Sequence, residues 1–356
     1  MEKKADYIIV GQGLAGTCLA VVLMRRSRRV VIIDPNEAVT SSRVAAGLYN
    51  PVTGRKMVKT WMADRLFPYL TDFYTDLEEL TGAKFLNTTG IYRPFISLEE
   101  QNEWMGKSAS EEFRQYIRKV HCQSRSERIN DPFGGLELAQ AGYLKVATFL
   151  GAMHDHFRAR EMLRAGNFVF DRLIIHQNTV EYEGITAKRI IFCDGSSWEH
   201  NTYFNWLPFR PVKGEVLEIK CDLEVNFIVN RGVFCVPLSK NMFRVGSNYD
   251  NNDHSWTPTE RAKAEIEEKL RALINVPFET VYQKAGVRPS SKDRRPYIGL
   301  HPANEALGVF NGLGTKGVSL APFFGEHFAC YLEDGKELYK EVNISRYFSL
   351  YYNSQK

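Results

Sequence analysis

Apolar and polar positions divide the chain into blocks of different period. Tyr7-Ile8-Ile9-Val10 is a continuous apolar run that reads as a buried strand, and the small, apolar stretch Thr17–Leu23 behind it reads as a helix. A basic cluster, Arg25-Arg26-Ser27-Arg28-Arg29, leads to a second strand, Val30-Val31-Ile32-Ile33, that ends at Asp34. Thr88–Arg93 is strand-like, and polar helical stretches run from it to the turn Asp131-Pro132-Phe133-Gly134-Gly135. A helix near Leu144–Arg158 and strands Phe168–Ile175 and Arg189–Cys193 come next. Residues 206–283 alternate, as in Val216-Leu217-Glu218-Ile219-Lys220, which is the period of antiparallel strands, with one helix from Pro258 to Ile274. The chain closes on a short strand, Leu307–Phe310, and a helix, Val318–Leu332. Strand–helix units at both ends with alternating strands between them predict a mixed α/β protein of two interleaved domains.

The first unit carries a turn of defined chemistry. Between strand and helix stand Gly11-Gln12-Gly13-Leu14-Ala15-Gly16, and Asp34 lies 18 residues beyond the third glycine. Gly11 permits the tight turn, Gly13 lets a pyrophosphate approach the backbone, and Gly16 lets the helix pack on the strand. The helix start offers free N–H groups to phosphate, and Asp34, followed by Pro35, can accept from ribose hydroxyls. This is a Rossmann-like dinucleotide-binding unit. The arginine cluster at the end of its helix reads as a solvated terminus opposing the helix dipole.

Composition narrows the class without naming the chemistry. The chain has 356 residues, 46 Lys+Arg against 42 Asp+Glu, 44% hydrophobic and 25% charged residues. Those proportions belong to a globular protein and exclude a disordered or collagen-like one. The net charge of +4 gives no reason to expect nucleic acid as a partner. No window approaches the length of a membrane span, the start does not read as a signal peptide, and the cysteines form no CxxC pair, so a cytoplasmic protein with reduced thiols is expected. His154 and His156 are two apart and would face different ways on a helix, so no metal site is expected. The aromatic content, 22 Phe, 17 Tyr and 5 Trp, stands out.

Two further segments distinguish FAD from NAD. After the second strand come Thr40-Ser41-Ser42-Arg43-Val44-Ala45-Ala46-Gly47-Leu48-Tyr49-Asn50-Pro51, whose hydroxyls and small residues suit a stretch that wraps a cofactor closely. Near the carboxyl end a second glycine-rich turn, Asn311-Gly312-Leu313-Gly314-Thr315-Lys316-Gly317, opens the last helix at Val318. A lysine at a helix amino terminus can stabilise negative charge such as that of a reduced flavin ring. Two such turns at opposite ends of the chain favour FAD.

Together these segments resemble the D-amino-acid-oxidase-like superfamily of FAD-dependent oxidoreductases, of the glycine oxidase and sarcosine oxidase type, over nearly the full length. The resemblance includes Leu207-Pro208-Phe209-Arg210-Pro211-Val212-Lys213-Gly214-Glu215, the pair Val236-Pro237, and Val245-Gly246. Its most specific piece is Ala285-Gly286-Val287-Arg288-Pro289-Ser290-Ser291-Lys292-Asp293-Arg294-Arg295-Pro296-Tyr297-Ile298-Gly299. It implies that Arg288 clamps a substrate carboxylate, that Lys316 sits over the flavin, and that Arg244 lies near the flavin where oxygen reacts. It places Gly47 and Leu48 beside the isoalloxazine, Tyr49 toward the pocket, and Leu173 and Gly195 in the adenine and strand-turn positions. It also implies FAD held without a covalent bond and an FAD-binding domain of residues 1–84, 143–205 and 284–356. The substrate domain would be 85–142 and 206–283.

Two departures from the family pattern stand out. Phe234 replaces a substrate-bonding tyrosine and predicts a less polar pocket, and Asp194 replaces a small residue and would need solvent or a cation partner. The implied reaction is oxidation of a C–N bond of an amino acid or secondary amine, by hydride transfer to flavin N5 and hydrolysis of the imine, with O2 or another acceptor taking the electrons. The chain could form a homo-oligomer. Ala46–Pro51 also resembles a stretch of the flavin domain that modifies tRNA wobble uridine, so that substrate stays open, as does a non-catalytic FAD-bound subunit.

Overall fold

The computed structural model describes residues 3–54 and 56–354. Among them the strands form two sheets of eight strands each and two small sheets. In the first large sheet Lys3–Val10 lies parallel to Val30–Asp34 on one side and to Ile185–Phe192 on the other. Leu163–Ala165 adds in parallel beyond Val30–Asp34, and Asn304–Asn311 beyond Ile185–Phe192. Tyr297–His301 then pairs antiparallel with Asn304–Asn311. Strands buried on both faces read as unbroken apolar runs, which is why the pattern of 7–10 and 30–33 was so legible. The helices Leu14–Arg25 and Gly317–Asp334 cross closely on one face of this sheet, where a side chain at Gly325 would meet the backbone of Cys18 and Leu19 at 3.4 Å.

The second sheet is built from Phe278–Arg288, Val212–Cys221, Met242–Gly246, Val233–Ser239, Ile228–Arg231, Ile91–Pro94, Gly135–Leu138 and Ile117–His121, in that order. Its pairings are antiparallel except that of Ile228–Arg231 with Ile91–Pro94. Leu217, Ile219 and Cys221 are buried while Lys220 between them is exposed, so the alternation is real. The fold is therefore the expected mixed one, a Rossmann-like sheet interleaved with a mostly antiparallel one. Phe278–Arg288 stays in the antiparallel sheet to its end, so a boundary drawn at 283/284 falls inside a strand.

Some elements differ from the sequence reading. Of Phe168–Ile175 only Leu173–Ile175 is strand, because Phe170–Arg172 forms a 3-10 turn. The helix Ala63–Thr81 escapes the periodicity reading, although Leu66, Phe67, Leu70, Phe73, Tyr74 and Leu77 form its buried face; Pro68 stands in its second turn on the exposed side. Much of the aromatic excess is core. Phe168, Phe170, Tyr182, Phe192 and Tyr203 pack ring on ring beneath the parallel sheet, and Tyr69, Phe73, Tyr74, Phe85 and Phe149 do so between helices. The arginine cluster lies at the surface, with Arg25, Arg28 and Arg29 exposed, and is also ion-paired: Arg25, Arg26, Arg28 and Arg29 pair with Asp76, with Glu326 and Asp334, with Glu333 and with Asp6. Cys18, Cys193 and Cys235 are buried free thiols. Among the described residues no helix is long and apolar enough to cross a membrane, and no His/Cys/Asp/Glu group could hold a metal.

Candidate active site

The amino-terminal turn has the geometry its glycines predict. Gly11 has φ +100°, and a side chain there would meet the Cys193 carbonyl oxygen at 2.5 Å. One at Gly16 would lie 1.9 Å from the Gly11 carbonyl oxygen, so helix and strand touch. Gly13 is different: a side chain would meet only Ser42 Oγ, at 3.3 Å. Space is therefore left open at Gly13, which is the N-cap of Leu14–Arg25 and offers no side-chain cap of its own. Leu14 N–H is shared with Ser42 Oγ at 3.4 Å, and Ala15 and Gly16 complete the first turn. Asp34 ends the second strand and accepts from the backbone N–H groups of Gln12 and Asn36 at 2.6 and 2.7 Å. A bare helix start, an uncrowded glycine and an acid at the next strand end together fit a dinucleotide.

The wrapping segment is fixed against both sheets. Thr40 caps a short helix, Ser41–Val44, by accepting from Arg43 N–H. Ser41 Oγ donates to the carbonyl of Val287, and Val44 packs on Gly286. Arg43 turns outward to Asn36, beside the exposed Pro35. Ala46 follows, and Gly47, at φ +74°, sits so close to Leu144 O, 2.0 Å from a side chain's position, that no other residue fits. Leu48–Tyr49 then pairs with Gly142–Leu144. Tyr49 is buried, and its hydroxyl donates to the Asn87 carbonyl at 3.1 Å, so it is committed to backbone rather than directed at the pocket.

The second glycine-rich turn meets the Arg288 segment. Gly312 and Gly314 have φ +74° and +53°, Leu313 bridges to Ser290, and Gly314 N–H donates to Pro289 O at 3.2 Å. Thr315 is exposed, Gly317 packs on Leu14, and Val318 carries the carbonyl that accepts from Tyr74. The two glycine turns are joined through Asp194. Its carboxylate accepts from Asn201 at 2.7 Å and from Asn311 at 2.8 Å, and Asn311 also donates to Gly195 O. The expected solvent or cation partner is thus replaced by two amides; burial still raises the Asp194 pKa, with those hydrogen bonds opposing it. Leu173 is buried in the same apolar cluster as Val10 and Ile33, on the parallel sheet.

Two half-buried cations on these segments have no carboxylate partner among the described residues. Arg288 ends its strand with Nη2 donating to Ser247 Oγ at 2.7 Å and Nη1 to Lys213 O at 3.4 Å, and its guanidinium lies 4.7 Å from the Tyr249 ring centroid. Burial lowers its pKa, with Tyr249 opposing that shift. The guanidinium crosses directly over Gly214, where a side chain would sit 2.0 Å from Nη2. Lys316 Nζ donates to Thr60 Oγ1 at 3.1 Å and reaches Thr53 Oγ1 at 3.5 Å. Burial, aided by repulsion from Arg295 and Arg294, brings its pKa down to about 8. Arg244 is a third case: it is paired with Glu218 at 2.7 Å, reaches Ala45 O at 3.4 Å, and keeps a buried Nε without a partner. Phe234 packs beside Gly246 and presents no hydroxyl.

Several of these residues escape sequence reasoning. Ser247 and Tyr249, which seat Arg288, and Thr53 and Thr60, which hold Lys316, belong to no motif. Gly214 carried a signal, since a glycine within an alternating strand marks a close approach.

Known proteins of the same fold and similar sequence are found over nearly the whole chain. Glycine oxidase of Pseudomonas aeruginosa is 22% identical over 341 residues, covering 88% of this chain and 91% of that protein. The tRNA 5-methylaminomethyl-2-thiouridine biosynthesis bifunctional protein of Idiomarina loihiensis is 21% identical, covering 97% of this chain and 59% of that protein. The crystal structure of iminodiacetate oxidase from Chelativorans sp. BNC1 superposes with a TM-score of 0.79 at 18% identity, covering 96% of this chain and 98% of that one. The profile of the FAD dependent oxidoreductase family matches residues 6–331, and the chain belongs to that family.

Proposed function

We propose that this enzyme oxidises the C–N bond of a small amine or amino acid that carries a carboxylate. The observation that carries the reading is Arg288, a half-buried guanidinium held by a hydroxyl, a carbonyl and an aromatic ring, with no carboxylate against it among the described residues. An unpaired half-buried cation is costly unless a ligand supplies the counter-charge, and a planar fork suits a carboxylate. The named activities of the glycine oxidase and iminodiacetate oxidase relatives support the same class.

FAD, when bound, supplies the two-electron acceptor at N5. Gly13 and the start of Leu14–Arg25 would hold its pyrophosphate and Asp34 its ribose. Ser41, Ser42, Gly47 and the Gly312–Gly317 turn would line it, without covalent attachment. Arg288 would fix the substrate carboxylate and so place the amine; that positioning is the protein's main contribution. Lys316, held by Thr60 and Thr53, would have one N–H left to offer to negative charge. Phe234 contributes an apolar wall. The antiparallel sheet, through Arg288, would form the substrate domain.

The test is anaerobic mixing of the yellow enzyme with amines that differ only in the carboxylate. Loss of flavin colour with the carboxylated member alone supports the reading; equal bleaching by both overturns it. The likeness to the tRNA-modifying protein is separated by a salt-dependent affinity for tRNA, which the small-amine reading expects to be absent.

A further inference from the structure

Gln12 stands between the first two glycines of the amino-terminal turn, where a polar side chain is buried to 5% exposure. All four of its polar groups are engaged. Its N–H donates to Asp34 Oδ2 at 2.6 Å, and its carbonyl accepts from Thr17 Oγ1 at 3.3 Å. Its side chain reaches the helix Val146–Ala159, where Nε2 donates to Leu150 O at 3.1 Å and Oε1 meets His154 Nδ1 at 2.7 Å. The atom facing the Leu150 carbonyl must be the amide nitrogen, so the oxygen faces the ring and His154 carries its proton on Nδ1. His156, two residues on, turns instead to Arg160.

We infer that His154 is a positioning residue for FAD: it locks the Gln12 side chain, and the Gln12 backbone N–H in turn locks the Asp34 carboxylate. The glycine pattern assigns no role to the second residue of the turn, and none to a helix far along the chain. The chemistry is nonetheless that of pre-organisation. A turn held in its bound conformation before the ligand arrives loses less freedom on binding, and the benefit falls mainly on dissociation. The inference uses the family's cofactor and is independent of which amine is oxidised.

The experiment dilutes holoenzyme and follows FAD release as the rise in flavin fluorescence. His154→Ala and Gln12→Ala are each expected to release FAD about tenfold faster, the scale of one buried hydrogen bond. The double variant should release it no faster than Gln12→Ala, because both changes break one link. His154→Asn, whose amide nitrogen can occupy the place of Nδ1, should restore slow release. Release at the parent rate from His154→Ala, or release from His154→Asn as fast as from His154→Ala, would overturn the assignment. The His154 variants carry the test even where Gln12→Ala fails to fold, since the ring lies on a half-exposed helix face.

Discussion

Replacing Gly214 by alanine should disable Arg288 while leaving the fold intact. The strand Val212–Cys221 accepts the change, since Gly214 is not among the positive-φ glycines and alanine is favoured over glycine there by about 0.5–1 kcal/mol. The new methyl would lie 2.0, 2.2 and 2.3 Å from Nη2, Cζ and Nη1 of Arg288. Ordinary contact begins near 3.4 Å, so the guanidinium must move by about 1.4 Å. It is the far end of a flexible side chain, so the displacement costs little stability, but it breaks the 2.7 Å bond to Ser247 and the stack on Tyr249. A misplacement of ~1 Å at a positioning group costs about a hundredfold in rate. Steady-state kinetics on a carboxylated amine should therefore show kcat/KM down by about a hundredfold, with FAD content and Tm near those of the parent. Gly214→Ala combined with Arg288→Ala should be no worse than Arg288→Ala alone. A Gly214→Ala enzyme with parental kcat/KM would refute the reasoning, because the crowding that defines the arginine's seat would then be irrelevant to the substrate.

Further outcomes follow from the same geometry. Gly13→Ala should fold and bind FAD poorly, whereas Gly16→Ala, 1.9 Å from Gly11 O, should fail to accumulate as folded protein; flavin absorbance and yield separate the two. Lys316 has a folded pKa of about 8 against 10.5 ordinarily, so between those values the unfolded chain binds the extra proton. Stability of FAD-free protein should therefore rise with pH through that window relative to Lys316→Met, as measured by urea denaturation. Lys213 is buried with Nζ on Asp253 at 2.6 Å, on Ser255 at 3.1 Å and on the Thr257 carbonyl. Lys213→Met should cost about 3 kcal/mol in the same assay, since it leaves that network unpaired.

The parts of the site readable in advance are those where backbone geometry restricts the residue type. Gly11, Gly16 and Gly47 tolerate nothing larger, and Asp34 follows an apolar run that could only be a buried strand. Arg288 was legible because its segment carries several ordered signals at once. The rest depended on which side chains long-range pairing brings together. Nothing in the spacing of Thr53, Thr60 and Lys316 says that they meet, and Ser247 and Arg288 are adjacent only because Val212–Cys221 pairs with strands on both sides. Asp194 shows the same limit, since its partner Asn311 lies more than a hundred residues away. Tyr49 shows the converse: its position beside Gly47 suited a pocket residue, but pairing with Gly142–Leu144 puts its hydroxyl on the Asn87 backbone.

The most direct test of the central claim is anaerobic reduction of the enzyme-bound flavin by paired amines, glycine against methylamine and N-methylglycine against dimethylamine among them, in parent and Arg288→Ala protein. The account predicts bleaching by a carboxylated amine only, with the half-saturating concentration raised about a hundredfold or more in the variant. Bleaching by decarboxylated amines at equal concentration, or an unchanged response after loss of Arg288, would contradict it.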